Sequence, residues 1–204
     1  MTIKTQTLSY TAGQDGLKGY IAYDDANESP GPGVMVIHEW WGLDDYIRTR
    51  ADRLAELGYT ALAIDVYGNG DTAGTPIESG AMMNAVLGDM ETGTSRLKAA
   101  HEVLCAQSMV DETRTAAIGY CFGGAMVLHM ARIGMPLKAV VSFHGALRSF
   151  HAPAAGEIKS RILICHGAAD SLVPESDIEA FNTEMATAQA NVKFESYEGA
   201  LHGF

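Results

Sequence analysis

Residues 116–130 read AAIGYCFGGAMVLHM and contain the clearest local pattern of the sequence. An apolar run ends at Gly119 and an apolar, helix-like pattern begins near Phe122, so the sequence predicts a strand, a sharp turn and a helix, with Cys121 at the turn. Gly119 and Gly123 flank the cysteine, and a side chain at either position would crowd so tight a turn. Cysteine is also among the most buried residue types, so the alternative interpretation of Cys121 is a packed core thiol.

Strand and helix patterns alternate outward from this turn in both directions. Upstream, the apolar runs GVMVIH and YTALAID, residues 33–38 and 59–65, enclose an amphipathic pattern over residues 44–58, which predicts a helix between two buried strands. The N-terminal part predicts two short strands, around residues 6–10 and 17–23. Further strand patterns occur downstream in KAVVSFHG, RILICHG and NVKFESYEG. The alternation predicts an α/β fold, with a mostly parallel central sheet and helices on both faces.

The composition indicates a single domain, residues 1–204, with a sizeable core. Its apolar content is 47%, yet no stretch reaches the roughly 18 uncharged apolar residues of a membrane span, and the N-terminus has no apolar segment of the secretory type. The net charge is -11 and the 14 lysines and arginines are scattered, which argues against nucleic acid and membrane partners. We therefore expect a cytoplasmic protein, monomeric by default, that acts on a small molecule.

Three widely spaced cysteines, Cys105, Cys121 and Cys165, indicate reduced thiols rather than a disulfide framework. No two of them have the close spacing of paired zinc ligands. Cys105 lies in a helical pattern and Cys165 in a strand pattern, and both are predicted to be core residues. Neither a metal ion nor an organic cofactor is expected.

Titratable residues gather at the ends of the predicted strands, where parallel sheets bind their ligands. Asp170 follows the run RILIC, and His202 follows the last strand and is the one histidine that comes after this aspartate in the chain. The order of Cys121, Asp170 and His202 is the order of nucleophile, acid and histidine in enzymes with a nucleophile elbow. A turn or helix-capping role is the alternative interpretation of Asp170.

Four motifs together resemble the dienelactone hydrolase family: GYCFGG, HEWWG at residues 38–42, HGAADSLVP and the terminal LHGF. The resemblance extends from about Ile21 to Phe204. It implies an α/β-hydrolase fold and hydrolysis of an ester or lactone, of the carboxymethylenebutenolidase type, through a thioester acyl-enzyme. Cys121, Asp170 and His202 match the catalytic triad of the family.

The resemblance also implies roles for residues around the triad. Glu39 matches a further glutamate that takes the thiol proton as substrate binds, and burial at a strand end beside tryptophans would raise the pKa of such a carboxylate. The backbone N–H groups of Trp40 and Phe122 would form the oxyanion hole, the second of these also following from its position directly after the nucleophile. The predicted pocket wall comprises Trp41, Tyr120 and His144.

The sequence departs from the family pattern at three points. Family members that process dienelactone hold the substrate carboxylate with arginines, and no arginine of this sequence aligns with them. Arg148 is a candidate cation for that role, with a plain surface arginine as the alternative. His144 stands where an aromatic residue is expected, which changes the polarity of the pocket. The fold usually closes with a helix after the triad histidine, so the chain is expected to continue past Phe204, and the histidine loop to depend on that helix.

Two functional alternatives remain open at this point, one within the same class and one outside it. One is a general short-chain carboxylesterase of the same fold. The other is a protein without turnover, either a silent binding module or a thiol redox sensor in which Cys121 is oxidised. The physiological substrate does not follow from the sequence, since the loops of the pocket determine specificity.

Overall fold

The computed structural model describes residues 2–26 and 29–204 of the protein. Within these residues, strands and helices alternate along the chain, which confirms the predicted α/β class. The elements are β1 Ile3–Ala12, β2 Asp15–Asp24, β3 Gly31–Ile37, α1 Asp45–Glu56, β4 Thr60–Ile64, α2 Pro76–Gly88, α3 Met90–Cys105, β5 Val110–Tyr120, α4 Phe122–Arg132, β6 Ala139–Phe143, β7 Arg161–Gly167, α5 Glu175–Thr187 and β8 Val192–Tyr197.

The strands belong to one eight-stranded, mostly parallel sheet, in the order β1-β2-β4-β3-β5-β6-β7-β8. The chain divides into two compact units at Ala116, within β5. In the first unit, β1 pairs antiparallel with β2, β2 pairs antiparallel with β4, and β3 pairs parallel with β4. In the second unit, β6, β7 and β8 pair in parallel. That residues 1–204 act as a single domain stays a prediction.

The N-terminal hairpin is longer than the sequence pattern indicates. The two strands predicted around residues 6–10 and 17–23 are the middle parts of β1 and β2, which have ten residues each. Most residues of β1 are exposed because it lies at the edge of the sheet, so polar side chains extend it without an apolar signal. In contrast, all five residues of β4 are buried, and after Thr60 its sequence is continuously apolar.

Helix α4 is buried along its whole length. All eleven residues from Phe122 to Arg132 are buried, as expected for a helix that is apolar on every side. It begins directly after the predicted turn at Cys121. In the part of the chain that the structure describes, no helix has the length and apolarity needed to cross a membrane.

Candidate active site

Cys121 occupies a strained turn between β5 and α4. Its φ is 51° and its ψ is -112°, in the region that residues with a side chain rarely adopt. A Cβ at Gly119 would lie 2.1 Å from the carbonyl oxygen of Gly123, so only glycine lets the strand end pack so closely on the first turn of the helix. The Cys121 N–H donates to the Phe143 carbonyl at 3.0 Å, which fixes the turn to β6.

Asp170 lies in the loop after β7, and its side chain is fully buried. Oδ1 accepts a hydrogen bond from the N–H of Leu172 at 2.9 Å. Oδ2 lies 2.8 Å from Nδ1 of His202. Each carboxylate oxygen therefore has a partner, as a buried carboxylate requires.

His202 lies on the segment after β8, and this segment packs tightly on the loop that carries Asp170. A Cβ at Gly167 would lie 2.5 Å from the carbonyl oxygen of Ala200, so the two segments approach as closely as they do because residue 167 is glycine. The Ala169 N–H also donates to the Ala200 carbonyl at 2.9 Å. These contacts hold the histidine loop against the aspartate loop, and its dependence on a helix after Phe204 stays a prediction.

Three predicted residues meet in one chain of contacts. Nε2 of His202 lies 3.2 Å from Sγ of Cys121, while Nδ1 faces the carboxylate of Asp170. An ionised carboxylate only accepts hydrogen bonds, so Nδ1 carries the ring proton and the lone pair of Nε2 points at the thiol. Such an arrangement of thiol, base and orienting acid can activate a nucleophile.

His144 lies against His202, and Tyr120 lies in the same unit. The two imidazole rings are 4.7 Å apart between centroids and nearly perpendicular. His144 is 4% exposed, and burial, followed by the neighbouring His202, lowers its pKa to about 4, so its ring is neutral near pH 7. Tyr120 is buried and stacks on Phe143 at 4.9 Å. Their role as pocket residues stays a prediction.

Glu39, Trp40 and Trp41 follow β3 in the first unit and are each half-buried. The two tryptophan rings meet at an angle of 65°, with centroids 5.2 Å apart. The hydroxyl of Tyr67 donates to the carbonyl of Trp40 at 2.9 Å and so fixes the backbone of this segment. The predicted roles of these residues, as proton acceptor, oxyanion donor and pocket wall, stay predictions.

His38 supports the backbone of the same segment. Its Nε2 accepts from the N–H of Val66 at 3.2 Å, so Nδ1 carries the proton and donates to the carbonyl of Glu39. The ring is completely buried, and this burial lowers its pKa. His38 is therefore a neutral side chain that joins the ends of β3 and β4.

Arg132 is a residue that the sequence reasoning missed. Its side chain is 1% exposed and pairs with Glu184 of α5 at 2.7 Å. Nη2 also donates to the carbonyl of Leu147 at 2.8 Å, in the loop that begins with His144. An arginine at the end of an otherwise apolar helix resembles a surface residue, but the apolarity of α4 on every side indicated a buried helix end.

Arg148, the candidate cation for a substrate carboxylate, is exposed.

Comparisons with known proteins show the family of the chain. The family model for the dienelactone hydrolase family matches residues 17–204. A solved structure titled m3DLH is 38% identical, with a TM-score of 0.94, over 100% of this chain and 85% of the other. A dienelactone hydrolase-like promiscuous phosphotriesterase from metagenomic libraries is 35% identical, with a TM-score of 0.92, over 100% of this chain and 85% of the other.

A relative from Synechocystis sp., named "Putative carboxymethylenebutenolidase", is 28% identical over 100% of this chain and 88% of its own length. The family model covers well over half of the chain, and the fold is that of the solved relatives. The protein belongs to the dienelactone hydrolase family, with an α/β-hydrolase fold, and is a hydrolase of small-molecule carboxylic esters or lactones.

Proposed function

We propose that the protein hydrolyses its ester or lactone through a cysteine nucleophile and a thioester acyl-enzyme. The observation that carries this proposal is the contact chain from Sγ of Cys121 to Nε2 of His202, at 3.2 Å, and from Nδ1 of His202 to Oδ2 of Asp170, at 2.8 Å. Both distances are short enough for proton transfer or hydrogen bonding without rearrangement.

Acylation begins with transfer of the thiol proton from Cys121 to Nε2 of His202. The thiolate then attacks the carbonyl carbon, forming a carbon–sulfur bond and placing negative charge on the carbonyl oxygen. Asp170 stabilises the imidazolium, and collapse of the tetrahedral intermediate breaks the carbon–oxygen bond to the leaving group. His202 returns its proton to the departing alkoxide or enolate.

Deacylation repeats the same chemical steps with water as the nucleophile. His202 takes a proton from water, the hydroxide attacks the thioester, and the carbon–sulfur bond breaks. A thiolate leaves a tetrahedral intermediate more readily than an amine does, so this mechanism suits esters and lactones better than amides. The product carboxylate is released and Cys121 is protonated again.

The positive end of α4 supports the developing charges. Cys121 directly precedes the first helical residue, Phe122, so the positive end of the helix dipole lies at the turn that carries the thiolate. We assign the Phe122 N–H to the oxyanion hole on this basis, and the Trp40 N–H by resemblance to the family. Glu39 would take the thiol proton when substrate binds, again by resemblance.

One relative's name supports a carboxylate-bearing lactone as the substrate, and the net charge of the chain bears on how it would be bound. The Synechocystis relative is named for the hydrolysis of a carboxylate-bearing lactone, and such a substrate needs a cation to bind its carboxylate in a protein of net charge -11. Arg148 is the candidate that the sequence provides. A general short-chain carboxylesterase needs no such cation, and comparing turnover of dienelactones with neutral short-chain esters and thioesters separates the two.

A second candidate activity comes from one of the solved relatives. The structure that is 35% identical is titled a promiscuous phosphotriesterase, so attack of the same thiolate on a neutral phosphotriester belongs in the substrate panel. Release of p-nitrophenol from paraoxon, lost in Cys121→Ala, would support it. Release of p-nitrophenol no faster than in the absence of the protein would exclude phosphotriesterase activity.

Mass spectrometry of the protein quenched during turnover of p-nitrophenyl acetate tests the proposal. We expect an acetyl group on Cys121, present in greater amount in Asp170→Asn because deacylation is slowed. Cys105→Ala is the matched control, because it removes a thiol that also contacts a histidine. An acetyl group on another residue, or undiminished turnover by Cys121→Ala, would refute the cysteine mechanism, and an adduct of oxygen formed only with peroxide would favour the redox sensor.

A further inference from the structure

Three side chains of metal-ligand type converge in the second unit. Sγ of Cys121 and one ring nitrogen each of His144 and His202 lie within 4.8 Å of one another. These residues come from three separate segments, the turn before α4, the end of β6 and the loop after β8. The mechanism described above uses the first and third of them and assigns no chemistry to His144.

The separations are close to those that a tetrahedral ion requires. With Zn–S of about 2.3 Å and Zn–N of about 2.0–2.1 Å, ligand atoms on a tetrahedral zinc lie roughly 3.5 Å apart. Sγ of Cys121 and Nε2 of His202 are 3.2 Å apart, so this pair must open by only a few tenths of an ångström. The ligand nitrogen of His144 lies within 4.8 Å of both other ligand atoms, so it must approach each by at most roughly 1.3 Å.

The hydrogen bonds behind the ligand residues also resemble those of metal sites. Histidine ligands usually donate their other ring N–H to a carboxylate or carbonyl, which orients the ring and raises its basicity. His202 makes this contact with Asp170, from Nδ1 to Oδ2 at 2.8 Å. The carboxylate is itself held by the N–H of Leu172, so Nε2 is aimed by two successive hydrogen bonds.

The backbone holds the ligand-bearing positions in place. Cys121 has a φ of 51° and donates its N–H to Phe143, while His144 has a φ of 41° and donates its N–H to the carbonyl of Cys165 at 2.9 Å. Arg132 fixes the loop beyond His144 through the Leu147 carbonyl. The His202 side chain is 26% exposed, which gives an ion a route from solvent.

We propose that Cys121, His144 and His202 form a binding site for Zn²⁺, in which the bound ion inhibits the enzyme. One thiolate and two imidazoles suit zinc rather than magnesium or calcium, which prefer oxygen ligands. Cys121 loses its proton to solvent on binding, and the fourth position of the ion faces water or substrate. The ion occupies the nucleophile and the lone pair of the base, so acylation stops until the metal leaves.

Cobalt(II) spectroscopy tests the binding site without reference to activity. Chelator-treated protein titrated with Co²⁺ is expected to develop a thiolate-to-cobalt charge-transfer band and the visible bands of a tetrahedral ion, at one equivalent. Zn²⁺ should displace the cobalt and abolish both. A wild-type protein that gives no charge-transfer band would overturn the proposal.

Two variants and one control locate the ligands. Cys121→Ser should lose the charge-transfer band, and His144→Asn should weaken the affinity for Zn²⁺ by at least about tenfold. Asparagine is chosen because it tolerates the positive φ of residue 144, and circular dichroism checks that both variants are folded. Cys105→Ser should bind as the wild type does. A band that persists in Cys121→Ser, or His144→Asn that binds as tightly as wild type, would overturn the site.

Alkylation provides a readout that does not depend on the folding of a variant. Wild-type protein blocked with iodoacetamide at Cys121 should no longer develop the cobalt band. The inhibition by Zn²⁺ of ester turnover, reversible with a chelator, rests on the proposed function and is measured separately. Cobalt binding without inhibition would preserve the site and refute its effect on the enzyme, whereas failure of the cysteine mechanism alone would leave the metal titration unchanged.

Discussion

Within residues 2–26 and 29–204, two cysteine–histidine contacts differ in their backbone setting and in the groups around them. Cys121 and His202 come from a strand–helix turn and a loop, 3.2 Å apart between Sγ and Nε2. Cys105 and His101 lie one turn apart on α3, 3.6 Å between Sγ and Nε2, and His101 hydrogen-bonds to the hydroxyl of Thr115 at 3.1 Å. A thiol beside an imidazole is therefore found twice, and the contact itself does not define a catalytic pair.

The two pairs differ in the group that faces the histidine and in the pKa shifts of their members. A carboxylate faces His202 and would stabilise an imidazolium there, while the hydroxyl beside His101 carries no charge to do so. Burial lowers the pKa of His101 and, with the nearby Glu112 and Glu102, raises the pKa of the Cys105 thiol. Both shifts oppose proton transfer from sulfur to nitrogen, so we expect only the pair at the turn to be reactive.

Replacing each of the two cysteines separately by alanine should give the largest difference in kcat. Cys121→Ala is expected to lower kcat for p-nitrophenyl acetate by at least about 10³-fold, because the acyl acceptor is lost. Cys105→Ala should keep wild-type kcat, since that thiol only packs in α3. Steady-state kinetics on both variants makes the comparison, and equal losses would mean that the two pairs are not functionally distinct.

Replacing the residue that faces each histidine should have the next largest effect on kcat. Asp170→Asn is expected to lower kcat by about 10²- to 10³-fold, because the amide favours the wrong tautomer and no longer stabilises the imidazolium. Thr115→Val removes the equivalent partner of His101. It should change the free energy of unfolding by about 1 kcal/mol and leave kcat unchanged. Chemical denaturation and kinetics measure both quantities, and an active Asp170→Asn would contradict the triad.

A methyl group at Gly167 should disturb the loop that carries His202. The added Cβ would lie 2.5 Å from the Ala200 carbonyl, so the loop must shift, with an expected loss of about ten- to a hundredfold in kcat. Gly80→Ala is the matched control, because its Cβ meets nothing within 4 Å on α2. That change should stabilise the protein by up to about 1 kcal/mol without altering kcat. Wild-type kcat in Gly167→Ala would show that the close approach does not position the histidine.

Alkylation rates should show the smallest effect. At neutral pH, iodoacetamide is expected to modify Cys121 at least about ten times faster than Cys105, because His202 can accept the thiol proton. A raised thiol pKa means less thiolate at a given pH, so the rate at Cys105 should continue to rise at a pH where an ordinary thiol has levelled off. Peptide mapping at a series of pH values measures both rates. Faster modification of Cys105 at neutral pH would reverse the comparison.

The sequence predicted those features that local patterns encode. Helix α4 begins at Phe122 because an unbroken apolar pattern starts there, and β7 has the bounds of the run RILICHG. The chain order of the cysteine, aspartate and histidine pointed to residues that the fold brings into contact. The reason is that parallel strands end at one edge of a sheet, so residues after those strands are neighbours whatever their separation in sequence.

Features that depend on packing between distant segments were not predictable in this way. The apolarity of α4 indicated a buried helix end, but the partners of Arg132, Glu184 and Leu147, lie on other elements and leave no mark near residue 132. The approach of His144 to His202 likewise arises from the ends of two segments, and the cysteine spacing gave no sign of a metal-ligand cluster. The roles of Glu39 and Trp40, the oligomeric state and the cytoplasmic location stay predictions.

The backbone at Cys121 limits which nucleophiles this position can accept. A φ of 51° is tolerated by an unbranched side chain at a cost, but a β-branched one would clash with its own backbone. Serine differs from cysteine by one atom and fits the same turn, whereas threonine adds a methyl group at the crowded carbon. Evolution or design can therefore exchange sulfur for oxygen here, and the same geometry excludes the secondary alcohol that other hydrolases use as a nucleophile.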